Sequence, residues 1–153
     1  MKRVEIRLSL EAVTPLLAVM REAAASLSDG LAAANTLGDI EPDLRETWLD
    51  ELLESQNDAI AVLLGLFDDE FEESGVIGFD AGNAEPVLRA SAALRLRLRE
   101  RFLTALSEEV LESGDLEVDS LEEPARRAFM CYLFLATLQE LIIQHLDASI
   151  LEG

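Results

Sequence analysis

Cysteine, histidine, tryptophan and tyrosine each occur only once in the 153 residues. With Cys131 alone, no intrachain disulfide can form, and a reducing compartment is the expected setting. With His145 alone, zinc sites of the usual His/Cys type are excluded. Aromatic residues make up only 5% of the chain, so Leu, Ala and Phe must fill the core, a mixture that favours helices over a β-sandwich. Basic residues are scarce too: 12 Lys and Arg stand against 31 Asp and Glu, for a formal net charge of −19. Nucleic acid, whose binding rests on neutralised phosphates, and anionic membrane surfaces are therefore not expected partners.

Long hydrophobic runs are missing as well. The longest charge-free stretch, Ala128 to Gln139, falls short of the roughly 18 apolar residues of a membrane span. Met1-Lys2-Arg3-Val4-Glu5-Ile6 alternates charged and apolar residues, which is not the pattern of a signal peptide, and a cytoplasmic location is expected. No Gly-x-Ser-x-Gly elbow, phosphate loop or Gly-x-Gly-x-x-Gly is present. The acidity fits a solubility-tuned cytosolic chain, a halophile's protein, a binder of basic partners or a nucleic-acid mimic, with the excess of Glu over Asp and the abundant Leu counting against the halophile.

What is present is amphipathic patterning punctuated by four prolines. Val4, Ile6, Leu8 and Leu10 alternate with polar residues, predicting a strand with one buried face. Val76-Ile77-Gly78-Phe79 and Leu116-Glu117-Val118 are its candidate partners. Thr14-Pro15 reads as a helix start, with a first helix over about residues 15–28. Pro42 opens a second helix, expected to run to Glu73 with a kink near Ser55-Gln56-Asn57 and with Leu49, Leu52, Leu53, Ile60, Leu63, Leu64, Phe67 and Phe71 on one stripe. Pro86 opens a third, carrying Leu88, Ala92, Leu96 and Leu98 and closing at Gly114. Ser120-Leu121-Glu122-Glu123 has the spacing of a capping box, so the last helix is expected from there to about Ser149. It is apolar nearly all round, as expected of a central or shared helix. The fold class that follows is mainly α: one domain over residues 1–153, about four long helices and a small two- or three-stranded sheet.

The segment Leu94-Arg95-Leu96-Arg97-Leu98-Arg99-Glu100-Arg101 resembles a strand or a basic patch until it is wound at about 100° per residue. Arg97 and Arg101 then fall on the polar side, and Arg95 and Arg99 on the apolar side, where guanidiniums must meet an acid or snorkel outward. Glu70, projecting beside Phe67 and Phe71, is the expected acid. The result is either an ion pair fixing helix register or an arginine pair gripping a small anionic ligand. His145 projects with Leu138 and Ile142, as a packed histidine would. Cys131 sits among apolar residues with no basic neighbour, as an inert thiol would. Asp68, Asp69, Glu72 and Glu73 crowd together without calcium-loop spacing, as on a solvated helix face.

Two segments, Phe67-Asp68-Asp69-Glu70-Phe71 and Leu138-Gln139-Glu140-Leu141-Ile142, together with the order of elements, resemble an uncharacterised bacterial family of unknown function. Gln139 and Glu140 stand where that family usually has Asn and Asp. The resemblance implies no catalytic residues, and its members' proximity to the gene for a protease adaptor implies a role in protein quality control. No catalytic residue, metal or cofactor is expected. The function expected is a non-enzymatic interaction or regulatory module, homodimeric through Phe129, Tyr132, Leu133 and Ile143 of the last helix. The alternative is a small-anion-binding protein or enzyme using Arg95 and Arg99.

Overall fold

The computed structural model describes residues 4–27, 42–115, 117 and 120–145. The chain opens with β1 (Val4–Arg7), whose Val4 and Ile6 are half-buried while Glu5 and Arg7 are exposed, as alternation requires. The first helix, α1, spans Leu10–Leu27 and buries Val13, Leu16, Leu17, Met20, Ala23 and Leu27 at helical spacing. It starts a turn earlier than Thr14-Pro15 suggested. The Ser9 hydroxyl accepts from the Ala12 amide at 3.3 Å, and the Thr14 hydroxyl donates to the Leu10 carbonyl at 2.6 Å instead of capping. Pro15 thus lies within the first turns of α1.

The next helix, α2, covers Pro42–Gly65, and the chain then breaks before the short α3 (Asp69–Ser74). The interruption expected at Ser55-Gln56-Asn57 falls instead at residues 66–68. There Asp68 turns extended, and its carboxylate accepts from the Phe71 amide at 3.1 Å, capping a new helix. Gly75 ends α3 in the left-handed conformation, its amide donating to the Phe71 carbonyl at 2.7 Å. β2 (Val76–Phe79) follows and pairs antiparallel with β1, Val4 opposite Phe79 and Arg7 opposite Val76. The Leu8 amide extends the pairing by donating to the Gly75 carbonyl at 2.7 Å. Among the described residues the sheet has these two strands; Leu116 and Val118 lie outside them, as do residues 28–41 and 146–153.

A tight turn leads from β2 into α4 (Ala84–Phe102). Asp80 Oδ1 accepts from the amides of Gly82 and Asn83 at 2.8 and 3.1 Å, and Asn83 Nδ2 donates to the Gly78 carbonyl at 3.0 Å. The Leu-Arg alternation is helical, as winding it demanded. The helix ends at Phe102 instead of Gly114, and a separate short helix, α5 (Glu108–Ser113), is capped by Ser107 and closed by Gly114 at φ +68°. The last described helix, α6, runs Ala125–His145. Ser120 does not form the expected capping box, because its hydroxyl donates to the Glu117 carbonyl at 2.6 Å and the helix begins only after Pro124.

The fold is mainly α with a small antiparallel sheet. α4 lies between α2 and α6, and α1 packs on α4 and α6. A continuous core joins all four long helices to Phe71 of α3, Ile77 and Phe79 of β2 and Leu111 of α5. Phe67 packs edge-on to Phe71 with centroids 5.1 Å apart and lies 6.2 Å from Phe134. Within α4 the buried face is Ala84, Val87, Ala90, Ser91, Leu94 and Leu98, while Ala92 is exposed and Leu88 and Leu96 are half-buried. The expected leucine stripe is therefore rotated toward small residues, where Ala90 and Ser91 let neighbouring helices approach closely. α6 has the length and apolarity of a membrane-crossing helix, but Ala128, Phe129, Cys131, Tyr132, Leu135, Leu138 and Ile142 are buried in this core.

Candidate functional site

The α4 arginines are the first candidates. Arg95 is half-buried between α4 and α6, where its Nη1 donates to Gln139 Oε1 at 2.6 Å and its Nη2 to the Tyr132 hydroxyl at 3.0 Å. Its guanidinium carbon lies 4.5 Å from the centre of the Tyr132 ring, within cation–π range. Gln139 is oriented in turn by donating to the Leu88 carbonyl at 3.0 Å, so the cluster ties α6 to the backbone of α4. The partners that hold this guanidinium are neutral dipoles and a ring face, and its Nε is buried without a hydrogen bond.

Arg99 takes a different acid from the one expected. Its Nη2 bonds Glu108 of α5 at 2.6 Å, on an exposed surface. That hydrogen bond raises the Arg99 pKa above its ordinary value and lowers that of Glu108. Glu70 meets neither arginine: it is exposed on α3 and lines a hollow of about 410 Å³ with Glu5, Asp68 and Asn83, next to the β-ribbon. The expected Glu70–Arg95 or Glu70–Arg99 pair is thus corrected. The projection treated α2 and α3 as one continuous helix, and the break at residues 66–68 resets the azimuth of every residue after it.

The expected interface on α6 is corrected in part. Phe129 and Tyr132 are 0% and 6% exposed and belong to the protein's own core. Leu133 is half-buried, its methyls facing Gly114, and only Ile143, 58% exposed, is presented to solvent. Together with Arg95, Gln139 and Glu140, Ile143 borders an open hollow of about 540 Å³. His145, expected to be packed, is exposed at the end of α6. Cys131 is fully buried with Sγ 3.8 Å from the Leu16 carbonyl, and burial pushes its thiol up to about 12, so it is protonated and unreactive near neutrality. Among the described residues no group of three or more His, Cys, Asp or Glu side chains is arranged to hold a metal ion.

A feature that leucine counting missed lies on the first half of α2. Leu44, Trp48 and Leu52, one turn apart, are 51%, 47% and 44% exposed and form an apolar ridge. Part of the signal was available in the sequence, since Leu44 and Trp48 fall outside the expected stripe; Leu52, expected on that stripe with Leu49, Leu53 and Ile60, lies at its edge and is exposed instead. The only tryptophan of the chain stands at its centre.

These features define a mainly helical protein with a β-ribbon, an arginine clamp between two helices and an exposed apolar ridge. No family model, curated protein or solved structure matches the chain.

Proposed function

We propose that this protein is a non-enzymatic cytoplasmic binding module that holds another polypeptide, with the Leu44–Trp48–Leu52 ridge as its contact surface. The observation that supports this reading is the half-exposed Trp48, flanked one turn away on each side by a leucine equally open to solvent. Large aromatic side chains are disfavoured on a free surface and enriched at the centres of protein interfaces. The contact surface first assigned to α6 moves to α2, because Phe129 and Tyr132 are occupied in the core. A role in protein quality control, which the family resemblance implies, agrees with a module that acts by holding a partner.

The test is capture of partners from the native cell on the immobilised protein and on its Trp48→Glu variant. A partner retained by the first and lost by the second supports the reading; a partner set unchanged by the variant refutes it.

A second reading, a small anion bound at Arg95, draws support from that arginine's neutral partners and its unbonded Nε. Against it, Arg99 is engaged by Glu108, and Glu140 borders the same hollow. A shift in melting temperature with acidic metabolites, abolished in Arg95→Leu, would favour this reading over the first.

A further inference from the structure

The charge around the ridge specifies what can cover it. Past Glu46, α2 contains no lysine or arginine, while Asp50, Glu51, Glu54 and Asp58 are all exposed. At about 100° per residue, Glu51, Glu54 and Asp58 line one side of the ridge, and Leu49, Leu53 and Ile60 turn toward the core on the other. The ridge is therefore a strip of apolar surface about 12 Å long with Glu51, Glu54 and Asp58 along one side; of the cations, Arg45 is next to Leu44 in the sequence, and Arg89 of α4 donates to Ser55 Oγ at 2.7 Å beyond Leu52.

Resting on the binding-module reading, we infer that the ridge takes a basic amphipathic helix, one that presents apolar side chains at helical spacing between lysines and arginines. Three alternatives fit less well. A second copy of this chain would bring a further set of Glu51, Glu54 and Asp58 carboxylates into the contact and join two molecules each at −19. An anionic lipid surface meets the same repulsion. A neutral apolar helix would cover Leu44, Trp48 and Leu52 but leave the acidic border without partners, and an acidic one would be repelled by it. A basic helix satisfies both parts at once: its apolar face covers the indole, and its cations meet the carboxylates at the rim, where they set the association rate and the salt dependence.

The test is selection of binders from a random peptide library on the immobilised protein, followed by titration of the enriched peptides. The readouts are the emission of Trp48, the chain's sole tryptophan, and the anisotropy of labelled peptide. The enriched peptides are expected to carry lysine and arginine flanking apolar residues at three- and four-residue spacing, to shift the indole emission to shorter wavelength, and to bind at least about tenfold more weakly to Trp48→Ala. Affinity is also expected to fall about tenfold in the exposed-site triple variant Glu51→Lys/Glu54→Lys/Asp58→Lys, and to weaken severalfold between about 50 and about 500 mM salt. Circular dichroism on each variant excludes loss of fold as the cause.

Enriched peptides that depend on Trp48 but carry no excess of basic residues would overturn this inference and leave the binding-module reading standing. Enriched peptides indifferent to Trp48, or none at all, would overturn both. A concentration-dependent dimer in sedimentation, abolished by Trp48→Glu, would overturn the inference in favour of a second copy as occupant.

Discussion

Replacing Gly75 with alanine probes the junction that joins the β-ribbon to the helices. Gly75 holds φ +73°, accepts from the Leu8 amide at 2.7 Å and donates to the Phe71 carbonyl at 2.7 Å. A Cβ placed there would lie 2.8 Å from the Leu8 carbonyl oxygen. An L-residue in the left-handed conformation costs about 1–2 kcal/mol. The obstructing atom is backbone, so no rotamer relieves the contact. The strand must move, and the Leu8–Gly75 hydrogen bond weakens, for a further net loss of about 1 kcal/mol. The sum is a destabilisation of about 2–3 kcal/mol, a large part of the stability of a domain this size. Gly65→Ala is the internal control. Its Cβ would meet nothing within 4 Å at the end of α2, so alanine is expected to be neutral or to stabilise by up to about 1 kcal/mol. Gly114→Ala, at φ +68° but facing only the flexible Leu133 tip at 3.3 Å, should fall between them. Equilibrium urea unfolding followed by far-ultraviolet circular dichroism ranks the three at constant m value. If Gly75→Ala proved as stable as Gly65→Ala, the account of the α3–β2 junction would be wrong.

Three further outcomes are expected. Ser91 is fully buried with its hydroxyl unbonded, so Ser91→Ala should raise stability by about 1 kcal/mol in the same urea assay, and a loss would mean the hydroxyl has a partner. Arg95→Ala, which strips Gln139 and Tyr132 of a charged donor and the ring of its cation, should cost about 2–3 kcal/mol, whereas Glu108→Gln at the exposed Arg99 pair should leave the melting temperature unchanged. Cys131 titrates at 9.0 when free and at about 12 when folded, so above pH 9 the unfolded chain releases a proton that the native one keeps. Its contribution is complete below that point and is lost as pH rises toward 12, by as much as about 4 kcal/mol. Cys131→Ala should therefore flatten the alkaline limb of the stability–pH curve, and an unchanged slope would refute the assignment.

Much of the architecture was legible from local pattern. The alternation at Val4 and Ile6 identified β1 because a period of two admits one half-buried conformation, and its pairing with Val76–Phe79 needed only an apolar run between turn residues. The Leu-Arg segment was readable as helix for the same kind of reason: its place in a long proline-free stretch outweighed its short-range alternation. Less legible were the breaks. Asp68 could cap a helix or simply extend one; where it caps, Phe67 meets Phe71 edge to edge and Phe134 of α6, a residue far along the chain that local pattern does not bring into view. Once that break exists, Glu70 turns away from α4, and the expected acid partner of Arg95 is lost with it. The ridge at Leu44, Trp48 and Leu52 was present in the letters, yet an apolar residue on a long helix reads as core until the neighbouring helices are in place to show which face they cover.

The sequence alone determined the mainly helical class, the ribbon strand and the overwhelming negative charge, because composition and periodicity act residue by residue and need no partner. Tertiary structure alone decided that Arg95 meets Gln139 and Tyr132, that Phe129 and Tyr132 turn inward, and that Trp48 is left outside. Each of those outcomes depends on how helices distant in sequence are rotated against one another, an angle set by the packing of many side chains at once and encoded in no single stretch of them.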